Sequence, residues 1–70
     1  MNRGLENVFV FAARYAHHRQ TGAAWVVINA LKEHWHEIDD SARDQIISET
    51  TEAAYNKDEW ENFVAWAIGE

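Results

Sequence analysis

No proline interrupts this chain, and its three glycines stand at positions 4, 22 and 69. Proline and glycine are the residues that break helices and shape long loops. With so few of them, and with good helix formers common, the 70 residues are constrained to helices joined by short turns. There is no low-complexity stretch and no internal repeat. Cysteine is absent as well, which removes disulfides and thiolate zinc sites as staples. A chain of this length makes one domain, residues 1–70, with a radius of gyration of ~11 Å. Such a core seldom supplies more than ~3–5 kcal/mol unless stapled or self-associated. Four Trp, three Phe and two Tyr therefore carry the packing.

Hydrophobic spacing predicts an all-α fold, a small bundle of four short helices. The first runs from about residue 5 to 19, with Leu5, Val8, Phe9, Ala12, Tyr15 and Ala16 in one arc and Asn2 as its cap. Gln20-Thr21-Gly22 breaks it, and Thr21 is placed to cap a second helix over about 22–36. That helix sets Ala24, Trp25, Ile28, Leu31 and Trp35 on one side. Asp39, Asp40 and Ser41 signal a third start, where Ser41-x-x-Asp44 resembles a capping box. Its stripe over about 41–55 is thin: Ala42, Ile46, Ile47, Ala53 and Ala54. Asn56 followed by Glu59 reads as the cap of a fourth helix, 58–68, whose Trp60, Phe63, Val64, Ala67 and Ile68 share a face. The expected core is Phe9, Ala12, Ile28, Leu31, Trp35, Ile46, Trp60, Phe63 and Val64.

The charges are segregated. Residues 1–36 hold Arg3, Arg14, Arg19 and Lys32 against Glu6 and Glu33, together with all four histidines. Residues 37–70 hold Arg43 and Lys57 against ten acids. The halves come to +2 and −8, giving the net −6 of the chain. Asymmetry of this kind bears on partners rather than on fold.

Little in the sequence carries catalytic chemistry. Ser41 and Ser48 lie in no strained elbow and beside no local base, and no phosphate-binding glycine loop or dinucleotide motif exists. A deep pocket of ~300–1,000 Å³ would consume much of so small an interior. No enzyme activity, no catalytic residue and no cofactor are expected. His34-Trp35-His36-Glu37 looks like a metal run, yet helix neighbours two apart point ~200° away from each other. His17 and His18 stand beside Arg14 and Arg19, which repel a cation. Solvated histidines near helix ends, with no metal, are the expectation.

Partner binding is the stronger reading, and two surfaces offer it. Val10 lies opposite the first stripe, Val26 opposite the second and Trp66 opposite the fourth, while Tyr55 is well off the third. Exposed aromatics of this kind are enriched at interface hot spots, and a homodimer is the simplest use of them. The acids Asp40, Asp44, Glu49 and Glu52, with Glu37, Asp58, Glu59 and Glu61, form the other surface, a possible imitation of the phosphate backbone. Direct nucleic-acid binding is disfavoured, because the −8 half would be held near the same duplex. The apolar run from Val8 to Ala13 is only six residues, short of a secretory signal or a ~20-residue membrane span. A cytoplasmic location without membrane contact is expected.

The segment Arg14-Tyr15-Ala16-x-x-Arg19-x-Thr21-x-Ala23, followed by a Val/Leu-rich helix, Trp35, Arg43, Ile46 and Trp60-x-x-Phe63, resembles a family of short proteins encoded by bacteriophages. The resemblance covers most of the chain and brings no catalytic residues with it. It implies a phage accessory product that binds a host protein and inhibits or redirects it. Anti-defence inhibitors, including anti-CRISPR proteins, share the small, acidic, cysteine-poor profile.

Overall fold

A computed structural model of the chain describes residues 2–19 and 23–70. Among these, four α-helices and one 3₁₀ turn form and no strand does: α1 Arg3–His17, α2 Ala24–His34, the 3₁₀ turn Trp35–Glu37, α3 Asp40–Thr51 and α4 Lys57–Gly69. The fold is an all-α bundle in which α1 and α4 each pack against both α2 and α3. Its radius of gyration is 10.8 Å.

Local chemistry explains the helix starts. Asn2 Oδ1 accepts the Leu5 amide at 2.9 Å, satisfying one of the free donors of α1. Asp39 caps α3 by accepting the Ser41 amide at 3.1 Å, so the cap falls two residues before the serine expected to supply it. The Asp39 amide in turn donates to Glu6 Oε2 at 2.6 Å, fastening the start of α3 to α1. Asn56 departs from expectation. It makes no side-chain cap and instead takes the left-handed conformation at φ 55°, ψ 43°, which Asn tolerates better than most residues. There it turns the chain from α3 into α4. The expected break and cap at Gln20, Thr21 and Gly22 lie outside the described residues.

Trp35, Trp60, Phe63, Leu31, Ile46 and Ala13 are fully buried, and Ile28 nearly so. Phe63 meets the Trp35 and Trp60 rings edge to face, with centroids 5.4 and 5.7 Å apart. Each such pair contributes ~0.5–1.5 kcal/mol beyond its area. Phe9 and Val64 pack against this cluster while partly exposed. Thr50 is buried too, and its hydroxyl is satisfied by donating to the Ile46 carbonyl at 2.8 Å.

The rotation of α1 overturns the sequence reading. Its inner residues are Val10, Ala13, Ala16 and His17, whereas Leu5, Val8 and Tyr15 of the expected stripe face outward. The apolar residues of α1 extend more than half-way round the helix, so periodicity alone offers two stripes. Polar contacts decide between them: Glu6 is held by the Asp39 amide, and Arg14 Nε and Nη2 both donate to Glu49 Oε1, at 3.0 and 2.5 Å. Val10 is therefore core, not surface. Trp25 and Ile68 are corrected in the opposite direction and are exposed. Trp66 is half-buried at the rim, its ring 6.1 Å from both Trp35 and Phe63 and covered by Lys32 Nζ at 5.4 Å.

Candidate functional site

The outward side of α1 carries the main exposed apolar surface. Leu5, Val8, Phe11 and Tyr15 follow one another at spacings of three and four, and are 50, 61, 65 and 51 % exposed. Residues so spaced form one stripe on a helix. Beside it, an open groove of about 470 Å³ runs between α1 and α2, lined by Phe11, Ala12, Tyr15, Ala23, Val26 and Val27. The Phe11 and Tyr15 rings stack at 28° with centroids 6.4 Å apart. Beyond the end of α1, Arg19 folds back with its Cζ 4.6 Å from the Tyr15 ring centroid. No carboxylate interrupts the stripe, because the one acid of α1, Glu6, is turned to the Asp39 amide.

No family model, curated protein or solved structure matches the chain. The chemistry of its own surface is therefore what bears on its function.

The anticipated interface residues separate under this geometry. Val26 is exposed on the groove, and Tyr55 is exposed where α3 passes to α4. Val10 is buried, against the expected outward position, and Trp66 is half-buried at the rim. Leu5, Val8, Phe11 and Tyr15 are the large apolar residues that α1 leaves exposed. Phe11 is the one whose signal was present and unused, since it falls outside the stripe assigned to the core. The acidic quartet does not make one continuous face. Asp44 and Glu52 are exposed, Asp40 is paired with Arg43, and Glu49 is turned to α1 and held by Arg14. At 100° per residue, Glu49 lies roughly 140° round α3 from Asp44.

The Glu49 pair raises the Arg14 pKa, first through the hydrogen bonds and then through the charge. Near this pair lies the main buried polar group. His17 is only 4 % exposed, and neither ring nitrogen has a hydrogen-bond partner. Its ring lies 4.1 Å from that of His18 and meets Trp60 edge-on at 6.5 Å. Burial lowers its pKa, neighbouring His18 lowers it further, and Glu49 opposes the shift. The expectation that all four histidines are solvated thus fails at His17, which shares the inner face with Val10. His34 Nδ1 lies 2.9 Å from Glu37 Oε2 and His36 Nε2 lies 3.2 Å from Glu70 Oε1. Among the described residues, no group of three His, Asp or Glu side chains is placed to hold a metal ion.

The other large cleft, about 650 Å³, is polar and lies between the starts of α1 and α3, with Arg3, Glu6, Asn7 and Ser41 among its walls. Helix starts attract anions, but here Glu6 already supplies one. No helix among the described residues is long and apolar enough to cross a membrane.

Proposed function

We propose that this chain is a non-enzymatic binding protein that engages a macromolecular partner through the α1–α2 face, docking an amphipathic helix of that partner. The carrying observation is the outward stripe of Leu5, Val8, Phe11 and Tyr15 beside an apolar groove. At roughly half exposure, four such side chains and Val26 offer about 500 Å² of apolar surface, taking ~200 Å² for a large side chain. That lies near the upper end for a monomer, where large patches mark interaction sites. Helices commonly bind by laying an apolar side into such a groove. Together with the resemblance to short phage proteins, the reading is of a phage accessory product in the host cytoplasm that inhibits or redirects a host protein, as anti-defence inhibitors do.

Imitation of DNA is the competing reading, and the pairing of Asp40 with Arg43 and of Glu49 with Arg14 weighs against it. A small DNA-binding regulator has less support still, since ten acids crowd the second half. Immobilised wild type, a Phe11→Lys/Val26→Lys variant and an Asp40→Lys/Asp44→Lys/Glu52→Lys variant, challenged with bacterial lysate over a salt series, test the reading. Loss of the same captured protein from the first variant, with little salt dependence, supports it. Loss from the second variant with a steep salt response instead favours the mimic.

A further inference from the structure

His17 is the last residue of α1 and, among the described residues, the buried side chain that can titrate. Neither of its ring nitrogens meets a partner among those residues. Buried polar atoms are normally paired, and a phenylalanine would fill the position without leaving two of them unmet. Other unpartnered buried atoms gather at the same end of the bundle. Trp60 Nε1 belongs to the ring that His17 meets edge-on at 6.5 Å. Glu49 Oε2 belongs to a carboxylate near enough to act on the charge of His17. Asn56 Nδ2 lies in the turn between α3 and α4. That turn is tied to α1 through the backbone of His17, whose carbonyl accepts the Ala54 and Tyr55 amides at 3.2 and 3.1 Å.

We propose that His17 is a proton-operated latch: its neutral ring closes the end of α1 over Trp60, and its charged ring swings into water and frees the α3–α4 turn. The groups around the ring set this direction. On α1, Arg14 and the exposed His18, whose ring is 4.1 Å away, both oppose a further positive charge. On α3, Glu49 favours the charge, but its Oε1 is already engaged by Arg14 Nε and Nη2. α4 presents the uncharged Trp60, and α2 opens with the uncharged run Ala24-Trp25-Val26-Val27. The charges flanking the turn, Glu52, Lys57 and Asp58, are exposed, as is Tyr55. Burial is the largest influence, and it acts against the charged form. An imidazolium carries two donors. Water receives both outside, whereas neither nitrogen has a partner inside.

The opening is local because the ring sits at a helix end. Only the end of α1 must unwind to release it, and such ends open more readily than helix interiors. Val10 and Ala13 stay packed, and Glu6 still holds the Asp39 amide. What is lost is the carbonyl that Ala54 and Tyr55 share, and with it the tether between the turn and α1. The latch goes beyond the docking of a partner on the outward side of α1 and does not depend on it.

Amide hydrogen exchange of the full chain, read by nuclear magnetic resonance and corrected for the intrinsic rate at each pH, tests the latch. Opening at Ala54 and Tyr55 is expected to rise by up to ~10-fold per pH unit as pH falls below about 6.5, the value of a free imidazole. Low urea separates a local opening from global unfolding, because a local one exposes little surface. Exchange at Ala54 and Tyr55 is therefore expected to be faster than at Leu31 and Ile46 and nearly insensitive to urea. His17→Gln, which cannot titrate, is expected to abolish the acid-induced rise, and His17→Phe repeats the test with an apolar ring. In the wild type, the His17 ring resonances are expected to titrate below about 6.5. Exchange at Ala54 and Tyr55 that ignores pH, or that follows urea as steeply as Leu31 and Ile46, overturns the proposal. So does a rise that persists in either variant. A ring that titrates above about 6.5 also overturns it, because the charged form is then held inside by Glu49.

Discussion

The two sides of α1 invert the usual relation between size and burial. The inner side holds Val10, Ala13, Ala16 and His17, and the outer side holds Leu5, Val8, Phe11 and Tyr15. The larger apolar side chains therefore face water. Small residues inside let the α1 backbone come close to α2 and α3, while Trp35, Trp60 and Phe63 from the other helices fill the centre. The aromatic residues left outside contribute little to folding and are free to contact something else. Burial and apolar character are thus separate quantities in this helix, and only the first reports on stability.

Substitutions can break that contrast, and the largest effect belongs to the centre. Trp60→Ala is expected to cost ~3–5 kcal/mol, comparable to the stability of so small a domain, as urea unfolding followed by circular dichroism will show. Ala13→Phe comes next, costing ~1–3 kcal/mol because the inner side has no room for a ring. A titration of stability against pH sharpens the contrast at His17. Burial holds its folded pKa below the ordinary value, which is ~6.5 in an unfolded chain. The unfolded chain therefore binds the proton more readily. Stability is full above about pH 6.5 and declines as pH falls through the window between the two values. His17→Phe should flatten that decline; an identical profile in the variant would remove His17 as its cause. Phe11→Ala should change stability by less than ~0.5 kcal/mol, as exposed substitutions do. A core-sized loss there would mean that the outer side is packed after all. The smallest effect belongs to the Arg14–Glu49 pair, where the double exchange Arg14→Glu/Glu49→Arg should restore whatever either change removes at low salt.

Much of this architecture was readable from the residues. The all-α class followed from the missing prolines, the four helices fell within a few residues of their expected edges, and Ile28, Leu31, Trp35, Ile46, Trp60 and Phe63 were correctly placed in the core. The candidate site was not readable in the same way. Spacing points to Val26, but it sets Leu5, Val8 and Tyr15 on the interior stripe and gives Phe11 no role. Periodicity reports which residues share a side of a helix, not which side meets the bundle. In α1 that choice falls to Glu6 and Arg14, whose partners Asp39 and Glu49 are 33 and 35 residues away in sequence. The turn at Asn56 escaped for a related reason: a side chain able to cap a helix is equally able to sit in the left-handed region, and sequence does not separate the two uses.

The His17 carbonyl accepts the amides of both Ala54 and Tyr55, at 3.2 and 3.1 Å. The first helix is thus finished at its far end by residues made 37 positions later, counting from His17 to Ala54. At ~5–20 residues per second of synthesis, that interval is roughly 2–7 s. During it the His17 carbonyl lacks both partners, although α2 and α3 are made before Ala54. The end of α1 is consequently fastened only once α3 is complete, which ties its last turn to the segment that leads into α4.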